Sequence, residues 1–357
     1  MTLPRVVLLF CTLCLASCAP HAQRDLFSNS IDQLFSEYAS PTRPGASVAV
    51  VRDGRVFYSK AYGMADLETH TLATTHTNYR LASVTKQFTA MAVLMLVQSG
   101  KLSLDARLTE VLPGAPTYMQ NVKIRHLLNH TSGIVDYEDL IPESQSVQVL
   151  DKDVLFLLRS IDSVHFPPGA KFKYSNSGYS LLALVVESIS GQSFAALLKK
   201  IFDPLGMNHT LAYQQGISTV DNRAYGYSCT DSGFVRTDQS VTSAVLGDGG
   251  IYSSVDDLFK WDQALYSEPL VRSSLYEEAI TPAKLTDGSR TTYGFGWFIE
   301  PYKKGVRFFH SGSTRGFRNA ILRMPDQQCT VIILTNRNEG EPIELARKIA
   351  DIILGTQ

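Results

Sequence analysis

Neither sign of charge prevails in this sequence: 33 Lys and Arg stand against 34 Asp and Glu. No run of five basic residues occurs, so no nucleic-acid partner is expected. Internal repeats, low-complexity tracts and Gly-Ser linkers are also missing, which argues against tandem domains. Cysteine is scarce, at five in 357 residues, and Cys11, Cys14 and Cys18 lie at the start of the chain. What is present is ordinary for a globular protein: 44% hydrophobic residues, 16 Tyr and 17 Phe, a composition that excludes disorder.

The first residues read as an export signal. One Arg precedes the apolar run "VVLLFCTLCLAS", which at twelve residues is too short to span a bilayer. Within it the C-x-x-C spacing of Cys11 and Cys14 is incidental, because the segment is removed. The run ends "LASC", which resembles the lipobox of bacterial lipoproteins, where the cysteine is acylated and becomes the new N-terminus. Cleavage after Ala19 is the competing reading, but it would leave Pro20 beside the cut. The expectation is a signal peptide over 1–17, lipidation at Cys18 and a tether over 18–30. The protein would then be exported and lipid-anchored to a membrane facing the periplasm, the outer membrane favoured over the inner because Ala19, not Asp, follows the cysteine. Cys229 and Cys329 would remain, either paired in an oxidising compartment or as two unpaired buried thiols, and sequence alone does not place them within bonding distance.

Strand patterns occupy the two ends of the remaining chain, 31–357, and helical patterns its middle. "ASVAVVRDGRVFYSKAYG" is two strand-like runs around Asp53-Gly54, a pair that tolerates positive φ at both turn positions. A helix is predicted over 83–99, closed by Gly100. From 101 to about 270 the signals are mostly helical. Strands return in "YGFGWFIE", "GVRFFHSG", "FRNAILRMP" and "CTVIILTN", and a last helix in "PIELARKIADIIL". The predicted fold is α/β (α+β): an antiparallel sheet of N- and C-terminal strands flanked by helices, with a mostly helical subdomain inserted.

Chemistry enters with "LASVTKQF". Ser83 and Lys86 are three residues apart, hence on one face of a helix. A serine hydroxyl needs a neighbouring base to become a nucleophile, and a lysine can be that base if burial or positive charge lowers its pKa. The following apolar run supplies burial, and a helix start favours a developing oxyanion. Alone, the pair is better read as an N-capping Ser followed by a solvated Lys. Two further patterns change the balance: Tyr174-Ser175-Asn176 and His310-Ser311-Gly312. S-x-x-K, Y-x-N and H-x-G each occur once, in that order.

With these motifs the chain resembles the β-lactamase/penicillin-binding-protein superfamily of serine hydrolases, in the branch of class C β-lactamases, D,D-carboxypeptidases, D-aminopeptidases and related esterases. The similarity runs from about Pro44 to Asn336 and takes in "VKIRHLLNHTSGI", "FPPGAKFKYSNSGYSLLALVVE" and "GDGGIYSSVDDLFKW". It implies Ser83 as the acylated nucleophile, with Lys86 and Tyr174 sharing proton transfer. It implies Asn176 as a hydrogen-bonding partner of the substrate amide and the strand of His310 and Gly312 as a cleft wall. The N–H groups of Ser83 and Ser313 would form the oxyanion hole. The motif matching the deacylating glutamate of class A β-lactamases has no acidic residue here, so Tyr174 would activate water. No cofactor is implied.

The departure is His310, where β-lactamases usually carry Lys. Histidine is mostly neutral at pH 7, which favours peptidase- or esterase-like chemistry over an efficient β-lactamase unless Arg315 or Arg318 restores the charge. The expected substrate is a small amide or ester, D-amino-acid-containing and peptidoglycan-derived peptides among them. The alternatives are a β-lactamase and a slowly acylated penicillin-binding sensor. His126 and His130, at i and i+4, lack the Glu of zinc proteases and a third ligand, so they read as structural. "GDGGIY" lacks the G-K-[ST] ending of a phosphate loop and reads as a tight turn near the cleft. Tyr225, Tyr227 and the polar loop 213–245 are candidates to shape the substrate pocket.

Overall fold

The computed structural model describes residues 19–355 except Lys304, with side chains from Leu26 onward. Cys18 and the segment read as a signal lie outside the described residues. Six strands form one antiparallel sheet: β1 (Ala46–Arg52), β2 (Arg55–Tyr62), β3 (Phe298–Tyr302), β4 (Gly305–Thr314), β5 (Phe317–Met324) and β6 (Cys329–Thr335). Their order is β3-β4-β5-β6-β1-β2, so the first and last strands of the chain's own sequence pattern, β1 and β6, are neighbours. Asp53 (φ 52°) and Gly54 (φ 72°) turn the β1–β2 hairpin, as their identities predict.

Alternation along β1 divides the core. Val48 and Val50 pair with Ile333 and Val331 and face two terminal helices, α1 (Ala19–Leu34) and α5 (Pro342–Leu354). Ala49 and Ile332 face the other way, into a larger core built around α2 (Lys86–Gln98), α3 (Asn176–Ser190) and α4 (Val255–Ala264). Nearly every side chain from Lys86 to Leu94 is buried, the pattern of a helix enclosed on all sides. Its end is set by Gly100, in the left-handed conformation at φ 71°. A buried ion pair, Arg323 Nε to Asp262 Oδ1 at 2.5 Å, with Thr330 donating to the same oxygen at 2.8 Å, ties α4 to the sheet.

Three expectations need adjustment. Helix α1 begins at Ala19, inside the segment read as a tether, and runs to Leu34; its Ile31 is fully buried with Phe35 against the sheet. The region 101–270 is helical in large part but also holds a hairpin, Tyr227–Thr230 with Gly233–Arg236, and strands at Leu211–Ala212 and Ile251–Ser253. "YGFGWFIE" is a strand only from Phe298, because Gly296 takes φ 78° where a Cβ would sit 2.9 Å from the Gln87 backbone nitrogen. Cys229 is exposed and Cys329 buried, and both are free thiols.

Candidate active site

Ser83 sits on a turn clamped from two sides. Tyr79 and Arg80 pair with Ser253 and Tyr252, and the Leu81 N–H donates to the Ile251 carbonyl at 2.8 Å. The chain then reverses through Ala82, at φ 50°, into a single 3-10 turn, Ala82–Thr85, that runs into α2. A left-handed conformation costs a residue with a Cβ roughly 1–2 kcal/mol, a strain typical of functional turns held by their surroundings. Those surroundings are glycines: a Cβ on Gly312 of β4 would stand 2.0 Å from the Leu81 oxygen, and one on Gly249 3.5 Å from Ala82 Cα. The strand and the 246–249 turn therefore reach the serine turn backbone against backbone.

Lys86, the first residue of α2, is fully buried. Its Nζ donates to Ser83 Oγ at 3.0 Å, to Asn176 Oδ1 at 2.8 Å and to the Asp248 carbonyl at 2.9 Å, which uses all three ammonium donors. The same nitrogen lies 5.0 Å from the centroid of the Tyr174 ring and 5.5 Å from that of Tyr179. A neutral amine in this position can accept the serine proton directly.

The motif residues do converge, but not all of them face the cleft. Asn176 accepts from Lys86 through Oδ1 and donates through Nδ2 to Glu138 Oε1 at 3.1 Å. His310 is buried, with Nδ1 2.7 Å from the Ser311 carbonyl and Nε2 2.9 Å from the Tyr293 hydroxyl. A carbonyl only accepts, so Nδ1 carries the proton and Tyr293 donates to Nε2. Burial, reinforced by Lys86, pushes the imidazole down to about 3, so it is neutral. Where the resemblance implied substrate contacts, His310 is thus committed inside the protein, whereas half-buried Asn176 lines the cavity at Ser83. Tyr174 approaches Lys86 through its ring and packs 4.2 Å from His130, centroid to centroid. Arg318 is held by the Thr314 and Phe317 carbonyls, while Arg315 is exposed and lines a larger neighbouring cavity of about 1010 Å³ with Tyr213, Gln239 and Ser240.

Ser83 and Ser313 line one small cavity of about 40 Å³ together with Asn176, Tyr137, Glu138 and Asp248. Beyond Phe309, no strand among the described residues pairs with β4 on its β3 side, so Ser313 lies on an open sheet edge. Glu138 and Asp248 carry carboxyl groups that the motifs did not signal. Burial and the neighbouring Asp136 raise the Glu138 carboxyl. Asp248 lies inside "GDGG", where Gly247 is a clue: a Cβ there would be 2.3 Å from the Tyr179 oxygen, so this segment had to pass close to something. His126 and His130 each accept a backbone N–H, from Lys123 at 3.1 Å and Ser175 at 3.2 Å. Of the two tyrosines considered for the pocket, Tyr227 donates to Asp66 at 2.9 Å and Tyr225 stacks under Arg236.

Known proteins are similar to this chain in sequence and in fold. The chain is 33% identical over 341 residues to penicillin-binding protein 4* of Bacillus subtilis (strain 168), covering 91% of this chain and 75% of that protein. It is 31% identical over 323 residues to a D-aminopeptidase of Brucella anthropi, covering 87% and 59% respectively. The chain thus spans under two thirds of the length of the second relative. The structure of an octameric penicillin-binding protein homologue from Pyrococcus abyssi superposes with a TM-score of 0.80 at 28% identity, over 93% of this chain and 78% of that one. A family model described as beta-lactamase matches residues 31–354. The serine turn, the buried lysine and the open sheet edge accordingly belong to a member of the beta-lactamase family of serine hydrolases.

Proposed function

We propose that this protein hydrolyses small amides or esters through an acyl-enzyme on Ser83. The observation that carries the reading is the 3.0 Å contact from the fully buried Lys86 Nζ to Ser83 Oγ. In acylation Lys86 takes the hydroxyl proton while Oγ bonds to the substrate carbonyl carbon, and the proton then goes to the leaving amine or alkoxide. The N–H groups of Ser83 and Ser313 receive the oxyanion, and Tyr174, its ring against Lys86, shares in the proton transfer.

The substrate class follows from charge. With His310 neutral, a carboxylate-bearing β-lactam lacks the fixed cation that the β-lactamase motif provides. Glu138 instead lines the cavity at Ser83 with a partly exposed carboxylate. That favours a protonated amine close to the scissile carbonyl, as in an amino-acid amide, and the similarity to a D-aminopeptidase supports the D configuration. Lipid anchoring at Cys18 on the periplasmic side of a membrane completes the proposal.

A fluorophosphonate probe and a fluorescent β-lactam, each compared between the wild type and Ser83→Ala, test the reading. Label that forms on Ser83 and turns over is the expected result, with D-alanyl amides and short acyl esters cleaved and nitrocefin turned over slowly. Lys86→Ala is expected to slow the reaction by about 10²–10⁴-fold. Label that persists identifies a sensor, and the absence of label with both reagents overturns the acyl-enzyme.

A further inference from the structure

The resemblance implies Tyr174 as the group that activates the water releasing the acyl chain, but the contact the structure shows between Tyr174 and Lys86 is to the tyrosine ring. We infer that Asp248 is instead the base that activates this water and that the small cavity at Ser83 is the station of the hydrolytic water. The inference rests on the reading of Ser83 as the acylated residue.

Three observations place Asp248 there. Asp248 lines the same cavity as Ser83, Asn176 and Ser313, and about 40 Å³ admits a water molecule. The residue is only 7% exposed, so the acid is enclosed and not rinsed by bulk solvent. Among the described residues one group donates to the carboxyl, the Tyr137 hydroxyl, at 2.9 Å to Oδ2. That leaves Oδ1 free to accept a further hydrogen bond.

The placement is built, not incidental. Asp151 holds the 246–249 turn by accepting from the Leu246 N–H at 2.9 Å and the Gly247 N–H at 3.1 Å. Tyr137 is fixed in turn by the Ser177 hydroxyl, which accepts its backbone N–H at 2.7 Å. The Asp248 carbonyl accepts from the lysine that touches Ser83, so base, lysine and nucleophile are locked in one register.

The step balances without any further reactant. A water O–H proton goes to the Asp248 carboxylate as the water oxygen bonds to the acyl carbon, and the oxyanion forms against the Ser83 and Ser313 N–H groups. Collapse of the adduct breaks the bond from carbon to Ser83 Oγ. The proton on Asp248 passes through the Lys86 amine to that oxygen, restoring the serine and consuming one water for each acyl group released. Burial pushes the Asp248 carboxyl up to about 7, a suitable value for a general base near neutrality. The charged and titratable groups that act on it are Lys86, which favours its ionised form, Asp151 and Glu138, which oppose it, and Tyr137, which donates to it.

The test uses p-nitrophenyl acetate in stopped flow, with intact-protein mass spectrometry. Asp248→Asn is expected to keep the rate of the first acetylation within about threefold. Its steady-state rate should fall by about 10²-fold, so that nitrophenol appears as a burst and the acetyl-enzyme accumulates. Equal loss in both phases, or no loss in either, overturns the assignment, as does accumulation in Glu138→Gln in place of Asp248→Asn. If the Asn variant does not fold, the wild type decides: decay of isolated acetyl-enzyme must accelerate as pH rises through 7, and a flat profile sinks the proposal. Failure of the wild type to be acetylated on Ser83 at all would instead refute the acyl-enzyme reading.

Discussion

Gly312 and Leu81 meet so closely that a methyl group on the glycine would lie 2.0 Å from the Leu81 carbonyl oxygen. The contact joins the strand that carries Ser313 to the turn that carries Ser83. Gly312→Ala is therefore expected to destabilise the fold by about 1–3 kcal/mol and to push the two candidate oxyanion donors apart. Urea unfolding followed with single-turnover acylation separates the two effects. A variant that retains wild-type acylation would show that the close approach does not set the donor spacing.

Glu138 bears on specificity. Glu138→Gln keeps the shape and the hydrogen bond from Asn176 but removes the charge. The preference for a free over an N-acetylated D-alanyl anilide, measured as the ratio of kcat/KM values, should fall by about tenfold or more. An unchanged ratio would place the amine elsewhere.

His310 bears on acid stability. Its folded-state pKa of about 3 is below the ordinary 6.5, so on acidification the unfolded chain takes up the proton first. Stability from this group is complete above pH 6.5 and is lost as pH falls toward 3, with a slope of about 1.4 kcal/mol per pH unit. Buried Asp248 and Asp151, raised to about 7 and about 6, slope the other way. The informative quantity is accordingly the difference between wild type and His310→Gln: the variant should lose this slope between pH 6.5 and 3 in denaturant titrations.

Cys18 decides the anchor. In cells fed an alkyne-labelled palmitate, the wild type is expected to incorporate the label and partition with membranes, and Cys18→Ala to do neither. One acyl chain binds only marginally, so several chains are expected on the mature protein. Unlabelled wild-type protein in the soluble fraction would refute the anchor.

Where a local rule acted alone, the residues announced their structure. Asp53-Gly54 made its hairpin, Gly100 closed its helix at positive φ, and the serine and lysine of "SVTK" met at the predicted spacing. Legibility ended where long-range contacts decide. Glu138 and Asp248 reach the site on short turns, held by Ser177 and Asp151 from elsewhere in the chain, and no local pattern encodes those bonds. Asn176 was found by its motif, yet its partners, Lys86 and Glu138, are 90 and 38 residues away. The strand in "YGFGWFIE" was placed too early because the demand for a positive φ at Gly296 comes from the helix it packs against, not from its own neighbours.

The insertion of β6 between β5 and β1 has a consequence for synthesis. The amino-terminal hairpin must wait for a partner made some 280 residues later, and at ribosomal speeds that is a delay of tens of seconds. Until then its outer edge is open to any passing strand. Catalytic competence in a newly made molecule is thus a late event, and its appearance would serve as a clock for the closing of the sheet.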